Sequence, residues 1–165
     1  MTLAAVDAYS ISVFIHVSAV VVGFGSTFAL ALAFPLALKR GARHLPYMHE
    51  LSLAINQRFA GPAMLVVLIT GFYQTADADW GFGSFWISAT FAIVIVLGGL
   101  TGAYFIPADR KLGAMVSREV EAAGDGDVVL SEDYRRQANR EGAIGGLAGL
   151  LILAAIFLMV TKPGA

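Results

Sequence analysis

Cysteine is absent from this 165-residue chain, which excludes disulfides, thiolate metal sites and cysteine nucleophiles. Charge is scarce as well. Only 14% of residues are Asp, Glu, Lys or Arg, against roughly 25% in soluble domains. The formal net charge of -1 leaves no cationic excess for nucleic acid, and no basic groove is visible to hold it. The five methionines and three histidines are scattered and form no copper-binding cluster. The opening stretch MTLAAVDAYS lacks the basic region of a signal peptide, and the apolar run behind it is too long for one, so it reads as a first span. No internal repeat stands out.

What the chain has instead is apolar length. Hydrophobic residues make up 58% of it and the mean hydropathy is +0.73, the composition of a membrane protein. Residues 11–38 carry no formal charge. At about 1.5 Å per residue such a run exceeds the roughly 30 Å hydrocarbon core of a bilayer. Three further spans are expected at about 50–76, 85–106 (closed by Pro107) and 141–160. Between the third and fourth, residues 108–140 are polar. There Leu112, Met115, Val116 and Val120 recur at helical spacing, as in a helix on the membrane surface or packed under the bundle. Gly124-Asp125-Gly126-Asp127 reads as a turn without the ligand series of a calcium loop, and Ser131 with Glu132 and Asp133 reads as a helix start. The expected fold is all-α, a four-transmembrane-helix bundle with a cytoplasmic helical segment between helices 3 and 4.

Nine of the eleven Lys and Arg residues fall in the two connections after spans one and three. Positive loops stay in the cytoplasm, so both termini are expected outside, in a bacterial cytoplasmic membrane. Tyr9, Phe72, Tyr73, Trp80, Phe82, Phe85 and Trp86 then form an outer aromatic belt. The lipid bilayer is the first partner. Gly98 with Gly102, Gly142 with Gly146, and Gly145 with Gly149 are each four apart, the spacing at which helix backbones approach closely. They serve either contacts within one bundle or a homodimer or larger membrane complex.

Two ionisable residues lie inside spans. On the first helix, Ser12, His16, Ala19, Gly23, Ser26 and Thr27 share one side, and Phe14, Val17, Val21, Phe24 and Phe28 the other. His16 therefore faces protein, where three roles are open: ligand to a metal or haem, hydrogen bond to a neighbouring helix, or proton and substrate handling. Ser12 and Gly23 line its side with small groups that leave room for a flat macrocycle. His44 and His49 are expected at the opposite membrane face and cannot complete its site, which leaves a single-histidine site, a methionine partner such as Met64 or Met159, or a site shared between protomers. Arg58, one turn before Pro62, either holds a carboxylate or phosphate or anchors the interface.

His16 with Gly23 and Gly25, followed by Arg58-Phe59 and Thr70-Gly71, resembles the copper-resistance-D-like group of small bacterial membrane proteins. That group includes predicted integral membrane proteins and the haem-containing protoporphyrinogen oxidases of the four-helix type. The resemblance covers about residues 10–75. It implies an inward histidine that, in the haem-containing relatives, ligates iron, and His16 matches that position. Those relatives also use an intramembrane lysine, whereas the lysines here are Lys39, Lys111 and Lys162. The expected function is then binding of b-type haem through His16 for electron transfer or porphyrin redox chemistry. A membrane scaffold or subunit of a larger complex, and a small metal or solute transporter, are the alternatives.

Overall fold

The structure, a computed structural model, describes residues 7–164. Residues 1–6, which carry most of the stretch read above for a signal peptide, and Ala165 lie outside the described residues. Six α-helices make four rods: α1 (Ala8–Arg40), α2 (Leu45–Ile55), α3 (Gly61–Asp77), α4 (Phe85–Leu100), α5 (Ile106–Ala123) and α6 (Glu132–Thr161). Helices α2 and α3 form one rod, and α4 and α5 another, each joined without a break by a five-residue π-helical turn. All four rods are long and apolar enough to cross a membrane. The all-α, four-span architecture is thus the observed one.

Each rod starts and stops for local reasons. Asp7 caps α1 by accepting from the Ser10 amide at 2.7 Å, a bond that holds its carboxyl below the ordinary value. Ser131 caps α6 by accepting from the Tyr134 amide, with Glu132 and Asp133 in the first turn where the helix dipole favours acids. Gly41, at φ 129°, turns the chain between α1 and the second rod in a conformation that favours glycine. The loop at 124–127 is tied down by the Arg43 guanidinium, which donates to the carbonyls of Gly124 and Gly126.

The second and third rods depart from the expected spans, and both departures come from proline. Pro107 does not close the third span: the helix runs on to Ala123. Likewise the second rod begins well before residue 50, with Pro46 in the first turn of α2, where its missing N–H costs nothing. Within the rods the π turns Asn56–Ala60 and Thr101–Phe105 each end two residues before a proline, Pro62 and Pro107. A proline ring clashes with the carbonyl four residues earlier. The wider turn relieves that clash, and the Gly61 and Ile106 amides bond instead to the Asn56 and Thr101 carbonyls five residues back. The two segments share a pattern absent from the sequence reading, Asn56-x-x-Phe59-x-x-Pro62 and Thr101-x-x-Tyr104-x-x-Pro107.

The rods pack α1 against α3, α2 against α5 and α4 against α6. Mid-bundle, Phe24, Ala60, Met64, Val67, Val94, Leu97, Ala148 and Ile152 make one apolar core. A second core of Leu45, Leu112, Val116 and Tyr134 sits at the end carrying the basic connections, so the 108–123 segment is packed under the bundle. We call this the basic end. At the other, aromatic end, the Lys162 ammonium lies 3.9 Å from the centre of the Trp80 ring, which meets Trp86 edge-on. The expected face of α1 is observed with one exception: Phe24, placed on the lipid side, is buried in the mid-bundle core, while Phe14, Val17, Val21 and Phe28 are exposed. The glycines divide. A Cβ on Gly98 or Gly149 would contact Met64 or Phe28, whereas Gly102, Gly142 and Gly146 face open space.

Candidate functional site

Helices α1 and α3 run antiparallel, and their contacts step down the interface. Near the aromatic end the Gln74 amide donates to Ser12 Oγ at 3.2 Å. One turn further along, His16 Nδ1 meets Thr70 Oγ1 at 2.7 Å. Deeper still, a Cβ on Gly23 would overlap that of Ala63, so glycine here is a condition of the two backbones lying together.

The His16–Thr70 contact has a direction. Thr70 Oγ1 lies 2.6 Å from the Val66 carbonyl, so its single proton goes there. What it offers His16 is a lone pair, and Nδ1 must be the donor. Neutral His16 therefore carries its proton on Nδ1 and presents a bare lone pair at Nε2. That nitrogen is buried and has no partner, although the residue is only 5% exposed. It is one of two such side-chain atoms among the described residues. A buried acceptor left bare costs about 1–3 kcal/mol, so its survival needs a reason. Nε2 belongs to a residue lining a crevice with Val67, Thr75, Trp86, Phe91, Thr90 and Met159, contributed by three of the rods.

Of the residues expected around His16, Ser12 is bonded to Gln74 and Gly23 is filled by Ala63, so neither clears space. Met64 is buried in the mid-bundle core, while Met159 does line the crevice. Arg58 lies on the π turn, exposed, twelve residues from Thr70 and hence about 18 Å along the helix axis. The structure does not bring it to His16.

A second polar centre, at the basic end, escaped the sequence reading. His49 and Asp109, each 2% exposed, meet through Nδ1 and Oδ1 at 3.2 Å. Asp109 Oδ2 accepts from Ser52 Oγ at 2.8 Å and from the Asn56 amide at 3.2 Å, while His49 Nε2 meets Tyr134 OH at 2.9 Å. Half-buried Glu141 completes a group whose ligand atoms lie within 4.8 Å of one another. As expected, His49 is far from His16. The signal for this centre was in the sequence: His49, Ser52 and Asn56 lie on one helical face, and Asp109 two residues past a proline.

Four apolar rods with polar side chains buried between them define an integral membrane helical bundle. The chain belongs to the DUF2269 family of predicted integral membrane proteins, which it matches over residues 10–163. This supports the predicted-membrane-protein part of the expected resemblance and does not extend to the copper-resistance-D-like or protoporphyrinogen-oxidase assignment. No curated protein and no solved structure matches the chain.

Whether haem suits the His16 site divides into two questions. By its donor it does: an unpartnered Nε2, with Nδ1–H fixed on a second group, is how an imidazole is held to bind iron. By its room it does not. The crevice has a volume of about 40 Å³, space for one or two waters, and a porphyrin does not fit the packing observed.

Proposed function

We propose that this membrane protein binds a compact ligand through Nε2 of His16. A single metal ion, or a small polar group with a hydrogen to donate, fits the chemistry of the nitrogen and the size of the crevice. The observation that carries this reading is the pairing of a committed Nδ1 with a buried, unpartnered Nε2. Haem b, for electron transfer or porphyrin redox chemistry, is the group implied by the resemblance to the copper-resistance-D-like proteins. The free nitrogen supports it and the room beside that nitrogen does not. Bound at iron, a haem would supply one-electron chemistry. The test is the ligand content and absorption spectrum of the full-length protein purified from membranes, beside His16→Ala. A component held by the wild type and lost in the variant is expected.

Transport is the weaker alternative, because Phe24, Met64, Val67, Val94, Leu97 and Ile152 fill the middle of the bundle between the two polar centres. A scaffold role draws support from Gly102, Gly142 and Gly146, whose open faces offer close approach to another helix in a homodimer or larger complex. For orientation we propose the basic end in the cytoplasm of a bacterium and both termini outside, on the distribution of Lys and Arg.

A further inference from the structure

We infer that His49, Asp109 and Glu141 form a binding site for a divalent transition-metal ion of borderline hardness, such as Zn²⁺, at the basic end of the bundle. This goes beyond the His16 reading and uses none of its residues. The three ligands come from three rods, on α2, α5 and α6, and their ligand atoms lie within 4.8 Å of one another. Groups bound at about 2.1 Å to one ion sit roughly 3.0–4.2 Å apart, so the 3.2 Å between His49 Nδ1 and Asp109 Oδ1 already has the spacing of adjacent ligands. Glu141, half-buried, offers the third ligand atom within the same 4.8 Å.

The surroundings support the ligands as a metal site requires. Ser52 and Asn56 hold Oδ2 of Asp109, which leaves Oδ1 aimed at His49. Without a metal, His49 Nδ1–H donates to Asp109 Oδ1; with Nδ1 on an ion, Nε2–H would instead donate to Tyr134 OH, 2.9 Å away, and hold the ring in place. Gly113 lets α5 lie against the histidine, since a Cβ there would come within 3.2 Å of His49 Cβ. Charge argues the same way. The salt bridges among the described residues bring no Lys or Arg to Asp109 or Glu141. A buried and a half-buried carboxylate side by side disfavour each other's charge, and a cation between them relieves that cost. One nitrogen with two carboxylate oxygens favours a borderline ion over Mg²⁺ or Ca²⁺, which take oxygen ligands.

The test is a calorimetric Zn²⁺ titration of full-length protein, stripped of metal by a chelator and held in detergent. Expected are one Zn²⁺ per chain that is retained in His16→Ala and, in Glu141→Gln and His49→Gln, affinity of that site lower by at least about tenfold. Glu50→Gln, an exposed neighbour outside the cluster, should bind as the wild type does. Asp109→Asn loses the acceptor of three bonds and is expected to unfold, so the half-buried Glu141 carries the decision. A folded wild type that takes up no stoichiometric Zn²⁺, or a folded Glu141→Gln of undiminished affinity, overturns the site. Displacement of Zn²⁺ by equimolar Mg²⁺ overturns the class of ion.

Discussion

His16 donates from Nδ1 to Thr70 Oγ1 across 2.7 Å, and in doing so leaves its other nitrogen bare inside the bundle. Thr70 can play this part only because its own proton is committed to the Val66 carbonyl. The pair converts a histidine that could merely fasten two helices into one with a lone pair to spend on a ligand.

Thr70→Val should therefore do more than loosen the helices. Leaving the buried Nδ1–H without an acceptor costs about 1–3 kcal/mol, and the imidazole loses its reason to keep Nε2 free. Lower thermal stability and reduced ligand content in the purified protein are expected, with Thr70→Ser restoring both. Unchanged ligand content in Thr70→Val would show that the hydroxyl does not position the ring.

Gly23→Ala and Gly25→Ala are expected to differ sharply although they are neighbours in one helix. The first places a methyl onto Ala63, and overpacking of this kind costs about 1–3 kcal/mol. The second meets nothing within 4 Å. Thermal unfolding in detergent should show a lowered midpoint for Gly23→Ala and the wild-type midpoint for Gly25→Ala.

The contrast shows how far the sequence could be read. Helix α1 is regular, so a steady 100° per residue sorted His16, Ser12 and Gly23 inward and Phe14, Val17 and Val21 outward. Phe24, next to Gly23 and just past the edge of that stripe, was misplaced because the stripe is wider than small residues alone suggest. In the second and third rods the same arithmetic fails. Each π turn inserts a residue into the helical register and turns the faces beyond it, so Asp109 could not be aligned with His49 by counting. Pro107 reads as a terminus because proline ordinarily ends a helix, whereas here the π turn before it carries the helix through. The room beside His16 was illegible too, because Gly23 signals close approach of another helix as readily as space for a ligand.

Arg58→Leu should leave the ligand at His16 in place. The arginine is exposed and about 18 Å along the helix from Thr70, which suits an interface anchor. Insertion and ligand content like the wild type's are expected. Loss of the ligand in a correctly inserted Arg58→Leu would return Arg58 to the site.

A reporter fused after Ala165 should be active only outside the cytoplasm, since nine of eleven Lys and Arg residues lie in the two connections at the other end. Activity in the cytoplasm would invert the orientation and carry His16 to the inner leaflet.

The most direct test of the central claim is to compare what full-length wild-type and His16→Ala proteins carry when purified from membranes, by absorption spectrum and metal analysis together. The account predicts a component in the wild type that His16→Ala lacks and His44→Ala, exposed at the basic end, retains. A Soret band among the lost features would identify that component as haem. Identical contents in wild type and His16→Ala would contradict the claim that Nε2 of His16 holds a ligand.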